Sequence, residues 1–508
     1  MKIFISILTV LFFYFWTATA GYNNIFHDLT VHSKYNFLTK TFIQGHLYLP
    51  IEPSLEFKTL ADPYNFKNNE SFRKDGGGYQ DFSYYNYKFY LYFGPSPVLT
   101  LYLPYRILTK VINNFIHLDD YKLFLPDSLA ILIYVSGILI VSTLLLLHFK
   151  KVYFNETKEW MIITSIFVIG LSNFSGYLLR RPYIYEVTVA ASSFFMLAAI
   201  YIFFLSLNNN KNKVLLLASG SLFLGLAVGT RINLIFSIVG LITFMIWLIS
   251  DKLKLKNKIV TGQLIALTLP FIFCLAILAL YNYQRFGNFF EFGFRYQIGP
   301  LGTTSNGLEI KRPMLSDSGR FFGNIYHYLF EPPVVLNDFP FLSTYLSSPD
   351  SFEKVVGVFT GIPFLLLIFL CPYLYARENL TKNQEIQYKS FPSNVFLMLL
   401  IPAFLNFFFL LFFRHATIRY SIDFLNLILP FTCALWFYFS LHIVNFKRVL
   451  NTSVLALSVI STIIGLALSI TGPVPEQGLI IQNRNEYDKV EALFRPVSAL
   501  LGLISQKK

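Results

Sequence analysis

Charge is scarce in this sequence. Of 508 residues only 14% are charged, against 55% hydrophobic and 18% aromatic, and the mean hydropathy is +0.53. Soluble domains carry about 25% charged residues, so a water-soluble globular protein of ordinary composition is excluded. Cysteine is nearly missing as well: Cys274, Cys371 and Cys433 lie far apart inside apolar runs, a spacing that offers neither a disulfide framework nor a zinc site. No GxSxG, P-loop, Rossmann fingerprint or HExxH occurs, which removes support for soluble-type hydrolase, NTPase and dinucleotide readings. Neither a repeat of about 20 to 50 residues nor a sustained heptad pattern is present. A formal charge of +13 is also a trait of nucleic-acid binders, but here Lys and Arg are scattered between apolar runs in the manner of membrane flanks. No nucleic acid is expected.

What the chain does have is a succession of apolar runs of about 18 to 24 residues, the length that crosses some 30 Å of hydrocarbon as a helix. The expected fold is an all-α polytopic membrane protein with about eleven transmembrane helices and two long extracytoplasmic loops. The expected spans are 3–20, 127–148, 160–179, 184–206, 214–230, 233–250, 259–281, 355–376, 393–413, 422–444 and 449–471. A further stretch, 97–109, carries Pro97 and Pro104 and reads as an interfacial or re-entrant helix. The chain then divides into a first helix (1–20), a loop with the interfacial helix (21–126), a bundle (127–281), a second loop (282–354), a second bundle (355–471) and a tail (472–508). Residues 3–20 end in Ala18-Thr19-Ala20, which also fits a signal-peptide cleavage site; the uncleaved helix is preferred because it holds the residues that follow at the membrane surface.

Orientation follows from lysine, which accumulates on cytoplasmic loops. One alternate set of short loops carries Lys150, Lys151, Lys158, Lys211, Lys213, Lys252, Lys254, Lys256, Lys258, Arg377, Lys382, Lys389, Lys447 and Arg448. The opposite set carries Arg180, Arg181, Arg231, Arg414 and Arg419 without any lysine. The first set is read as cytoplasmic. Both long loops and the tail then face outward, and the working surface with them.

Both long loops are rich in aromatics: Tyr84, Tyr85, Tyr87, Phe89, Tyr90, Tyr92 and Phe93 in the first, Phe289, Phe290, Phe292, Phe294 and Tyr296 in the second. Two uses are open to them, anchoring in the headgroup zone or stacking on sugar rings. The arginines are the sharper signal. A guanidinium stays charged at any depth and grips phosphate oxygens in two places, so arginine pressed against the ends of apolar runs fits a phosphate-bearing ligand at the surface. The plainer alternative is internal pairing, Arg180 or Arg181 with Glu186 and Arg419 with Asp423.

Directly after the first helix come His27 and Asp28, with His32 four residues beyond Asp28. An acid tethered there is placed to act as a general base, its pKa raised by desolvation and lowered by neighbouring arginines; a solvated or capping carboxylate is the alternative. A metal held by His27, Asp28 and His32 fits the spacing poorly. A second acid, Asp81, opens DFSYYNYKFYLYFGPSPVLTLYLPYRIL, where Pro95 and Pro97 stiffen the entry into the interfacial helix. Gly76, Gly77 and Gly78 just before it do not match a phosphate-cradling loop and read as loop.

A first helix, an early acid in a long outer loop, an acid followed by an aromatic-Lys-x-Tyr segment that enters a surface helix through prolines, and many further spans together resemble the GT-C superfamily. That superfamily includes the protein mannosyltransferases and the lipid A aminoarabinose transferase. The resemblance covers most of the chain as architecture and is specific in patches: SKYNFLTKTFIQGHLYLP, YNYKFYLYFGPSPVL, RRPYIYE, GLAVGTRINL and RYSIDF. It implies transfer of a sugar from a polyprenyl-phosphate carrier to a glycan, lipid or protein acceptor at the outer face of a bacterial inner membrane, with membrane lipid as surroundings. It matches Asp28 to the first-loop acid that acts as base or binds the acceptor, and Asp81 is taken beside it as a second catalytic acid. His27, His32, Lys88, Arg180, Arg181, Glu186, Arg231, Arg414, Arg419, Tyr420 and Asp423 fall to donor and acceptor binding. Where many members carry a pair of acids this chain has His27-Asp28. No cofactor is obligatory under this reading, and a divalent metal is compatible with it. Competing classes are a transporter or lipid flippase, which usually shows internal repeats and broken helices near the midplane, a glycan polymerase or ligase, and a non-enzymatic scaffold.

Overall fold

In a computed structural model of the chain, residues 1–20, 33–65, 67–74, 78–116, 123–252, 258–299, 318–346, 354–373, 391–413, 416–443, 446–472 and 478–505 are described. Among them nine helices are long and apolar enough to cross a membrane: Lys2–Thr19, Asp127–Val152, Glu159–Arg180, Ile184–Asn208, Ile232–Ser250, Ile259–Phe286, Ser393–Leu411, Ile418–His442 and Lys447–Thr471. The chain is a multi-pass helical membrane protein. Sheet is confined, among the described residues, to three two-stranded hairpins.

Two of the expected spans come out shorter. Residues 214–230 form the helix Lys213–Val228, ending at the Gly229-Thr230 turn. The 355–376 run is broken: a short helix Val358–Gly361 stops at Ile362, and Pro363 opens a 3₁₀ stretch to Leu370. The cause is local, because the residue before a proline is driven out of the helical region, and Ile362 sits at φ −132°, ψ 71°. The interfacial stretch is a π-turn, Val98–Tyr102, running into the helix Leu103–Ile116. Pro104 is tolerated there as a first-turn residue of that helix. Leu99, Ile107, Leu108, Val111 and Phe115 are exposed while Tyr102, Arg106 and Thr109 are buried, so the helix has one outward apolar face.

Helix Ile418–His442 is the centre of the bundle, buried over most of its length, and packs against the Ile184–Asn208 and Ser393–Leu411 helices. A polar pin, Asn173 Nδ2 to Asn426 Oδ1 at 3.1 Å, joins it to the end of the Glu159–Ser172 helix. Interhelical amide pins of this kind are how polar side chains are accommodated between apolar helices.

The first loop builds its own small core. Phe57 is fully buried, with the rings of Phe72, Tyr79, Tyr84 and Phe89 at 5.2, 5.1, 5.0 and 5.8 Å. Tyr84, Phe89 and Tyr90 are therefore interior residues, which corrects both uses expected of them, anchoring and sugar stacking. Phe290, by contrast, is 86% exposed. The hairpin Ser83–Tyr85 with Lys88–Tyr90 turns through Asn86 and Tyr87, both at positive φ, the turn whose twist matches paired strands.

The segment that carries the hairpin is docked on both sides of it in the chain. Asp81 N–H donates to the Ile298 carbonyl and Ile298 N–H to the Phe82 carbonyl, each at 2.8 Å, so the two long loops pair through their backbones. Beyond it, Gly94 N–H donates to the Thr230 carbonyl at 3.2 Å and Ser96 N–H to the Gly229 carbonyl at 3.1 Å. A Cβ on Gly94 would stand 2.0 Å from the Gly229 oxygen. The glycine is needed for that approach, and it locks the first loop onto the end of the bundle.

Candidate functional site

Arg180 and Arg181, adjacent in sequence, have different surroundings. Arg180 is the last residue of the helix Ser175–Arg180, while Arg181 precedes Pro182 and is non-helical at φ −124°, ψ 80°. Arg180 Nε donates to the Ser469 carbonyl at 2.9 Å, its guanidinium lies 5.6 Å from the Trp16 ring, and its own carbonyl accepts from Gln482 at 3.5 Å. It ties the first, penultimate and last segments together. Arg181 instead reaches Glu186 Oε1 at 3.6 Å, with the Tyr183 and Tyr185 rings at 5.4 and 5.7 Å.

Glu186 is fully buried in the first turn of Ile184–Asn208, where the helix N-terminus favours an anion. Its Oε1 also faces Arg419 Nη1 at 3.5 Å. Arg419 and Asp423 share a helical face, yet they are not the pair that sequence spacing suggests. Asp423 accepts from Arg231 Nη1 with both oxygens, at 2.6 and 2.8 Å. The Tyr420 ring lies 5.4 Å from the Arg231 guanidinium and 5.2 Å from that of Arg419. Three arginines from three separate segments thus share one end of the bundle with two buried carboxylates and three tyrosine rings.

Asp81 belongs to the same neighbourhood. It is 8% exposed and sits at φ +64°, a region a non-glycine residue seldom occupies. Gln297 Nε2 donates to its Oδ1 at 2.7 Å, and the Tyr185 hydroxyl donates to its Oδ2. The face of the same Tyr185 ring carries the Arg419 guanidinium at 4.6 Å, and its edge contact is Phe93 at 5.6 Å. Burial raises the Asp81 carboxyl above the ordinary aspartate value, and Lys34, the Gln297 hydrogen bond, Arg419 and Arg181 pull in the opposite direction. Lys34 opens the helix Lys34–Ile43, donates to the Gln80 carbonyl at 2.9 Å and has its pKa lowered by desolvation, with Asp81 and Asp127 opposing.

Lys88 lies elsewhere, exposed on the second hairpin strand with its ammonium 4.0 Å from the Tyr48 ring. His27, Asp28, His32 and Arg414 lie outside the described residues. Among the described residues no group of three or more His, Cys, Asp and Glu is arranged to hold a metal. Sequence reasoning did not single out Tyr185, Gln297 or Lys34. Tyr185 stands inside RRPYIYE and Lys34 opens SKYNFLTK, but nothing in the second loop marks Gln297.

Chemically, the arrangement offers a buried carboxyl fixed by two donors, close to three guanidinium groups of which two share Glu186 and one is paired with Asp423. Comparison with family models, with curated proteins and with solved structures finds no match for the chain.

Proposed function

We propose that this protein is a GT-C-type glycosyltransferase that moves a sugar from a polyprenyl-phosphate carrier to an acceptor hydroxyl. The observation that carries the reading is Asp81 held beside Arg181 and Arg419, with the Arg231–Asp423 pair adjoining, at the bundle end where the two long loops meet. In this reading about eleven apolar runs cross the bilayer, the two shorter helices among them, and the arginine end is extracytoplasmic. The membrane is a bacterial inner membrane.

The reaction is a displacement at the sugar C1. The acceptor oxygen forms a bond to C1 while the bond from C1 to the phosphate oxygen breaks, and the electron pair leaves with the polyprenyl phosphate. A carboxylate takes the acceptor proton. Asp28 is that base by resemblance; Asp81 is the second candidate, buried and within the influence of the same arginines. Arg181 and Arg419 meet the charge that grows on the leaving phosphate, in a place where water is scarce and fixed charges act strongly. Holding donor and acceptor together supplies much of the remaining rate.

The test is to incubate the purified protein with a panel of polyprenyl-phosphate sugars and candidate acceptors and follow release of the free carrier. Release that depends on both donor and acceptor supports the reading, and the Asp28→Asn and Asp81→Asn variants then distinguish the base. A protein that moves the same lipids across a vesicle bilayer without cleaving the sugar–phosphate bond is a transporter, and the reading fails.

A further inference from the structure

Tyr185 makes two contacts of different kinds at once. Its hydroxyl donates to Asp81, and its ring face lies against the Arg419 guanidinium at 4.6 Å, with Arg181 at 5.7 Å. It stands in the first turn of Ile184–Asn208, so it is carried by the bundle, whereas Asp81 is carried by the loop. Phe93 packs against it edge-on at 5.6 Å and limits its rotation. Gln297 holds the other carboxylate oxygen from the second loop at 2.7 Å. The acid is consequently fixed by one donor from the rigid helices and one from the opposite loop.

We propose that Tyr185 is a positioning residue: its hydroxyl sets the Asp81 carboxylate while its ring seats Arg419, so that acid and guanidinium keep one spacing. A tyrosine suits this because its polar tip and its π-face act independently, and the face attracts a cation. The backbone of Asp81, at φ +64°, is held off the common conformations, and external donors are what over-determine such a residue. The inference rests on the glycosyl-transfer reading for the meaning of the carboxylate, not for its geometry.

The groups facing Asp81 are Lys34 from Lys34–Ile43, Arg181 and Tyr185 from the segment 181–186, Arg419 from Ile418–His442, Gln297 from the second loop and Tyr92 from its own loop. All remain in the Tyr185→Phe variant except the one hydroxyl. A hydrogen bond to the ionised form stabilises that form, so its loss should move the Asp81 titration upward by about one pH unit, the size of a charge-assisted hydrogen bond.

The experiment is infrared titration of the full chain in lipid, without any substrate, with Asp81→Asn used to identify the carboxyl band. Tyr185→Phe should shift the midpoint up. Site-specific 3,5-difluorotyrosine at position 185, a stronger donor of nearly the same shape, should shift it down, and serves if the phenylalanine variant does not fold. Opposite shifts support the proposal, because a merely structural tyrosine gives no reason for a change of sign. An unmoved midpoint, or two shifts in one direction, overturns it. Where Asp81→Asn abolishes turnover and so identifies Asp81 as the base, the acid limb of the pH–rate profile should follow the midpoint, and a limb that stays put while the midpoint moves overturns the role in positioning. Absence of turnover with every donor would remove the glycosyl-transfer reading and leave the infrared result standing.

Discussion

The two arginines nearest Tyr420 should behave differently when removed. Arg231 Nη1 meets both oxygens of Asp423, at 2.6 and 2.8 Å, and the Asp423 side chain is 1% exposed. Arg231→Ala therefore leaves a carboxylate buried without the cation that stabilised it, a change that costs about 3–5 kcal/mol. Arg419 meets Glu186 at 3.5 Å, and Glu186 also faces Arg181 at 3.6 Å. Arg419→Ala leaves that second guanidinium in place, so the expected loss is about 1–2 kcal/mol, mostly the contact with the Tyr185 ring and a long hydrogen bond. The assay is reversible unfolding of the detergent-solubilised protein, with the single variants Arg231→Met and Asp423→Leu and their double variant forming the cycle. Replacing both partners by apolar groups should recover most of the loss, with a coupling above about 1.5 kcal/mol. Donor binding should follow the other order and weaken more in Arg419→Ala than in the double variant. Equal stability losses for the two arginines, or additive effects within about 0.5 kcal/mol, would refute the division into a scaffold arginine and a site arginine.

Three further expectations are independent of that one. Because burial raises the Asp81 carboxyl, its contribution to stability is full at acid pH and is lost as pH rises through the raised value; Asp81→Asn should gain on wild type from about pH 4 upward. Melting temperatures across pH check this, and a pH-independent offset would contradict it. Gly94→Ala should destabilise by about 2–3 kcal/mol, because its Cβ would meet a backbone oxygen at 2.0 Å. Gly229→Ala should cost less, since the atom it meets is the Ser96 hydroxyl, which can rotate; a melt in which Gly94→Ala is the milder change would refute the close-approach argument. Membrane-impermeant thiol reagents applied to intact cells should label single cysteines placed in 55–65 and 288–299 and not one at position 252, and labelling of the latter would reverse the orientation.

The sequence alone determined that the chain lives in a bilayer, and where most of its helices run. Hydropathy is a sum over consecutive residues, and a helix in hydrocarbon satisfies its own backbone, so no distant partner is required. For the same reason the confinement of lysine to one set of short loops was legible, and with it which end of the bundle deserved attention. Local rules reach a little further: Pro182 ends the helix after Arg180, and Pro363 breaks an apolar run that composition alone reads as continuous.

The tertiary structure decided which charges meet. Arg231 pairs with Asp423 across 192 residues, and Arg419 meets Glu186 across 233, whereas sequence spacing had offered Arg419 its helical neighbour Asp423. A guanidinium can reach partners on several helices, and only packing says which helix is adjacent. The same holds for the acid. Asp81 was legible as a carboxyl near an aromatic run, but its donors are Gln297, 216 residues away, and Tyr185, 104 away, and no local pattern connects loop residues to a helix start. Likewise Tyr84 and Phe89 looked like surface aromatics and proved to be the loop's core around Phe57, because whether a ring in a polar loop faces water depends on what else that loop folds against.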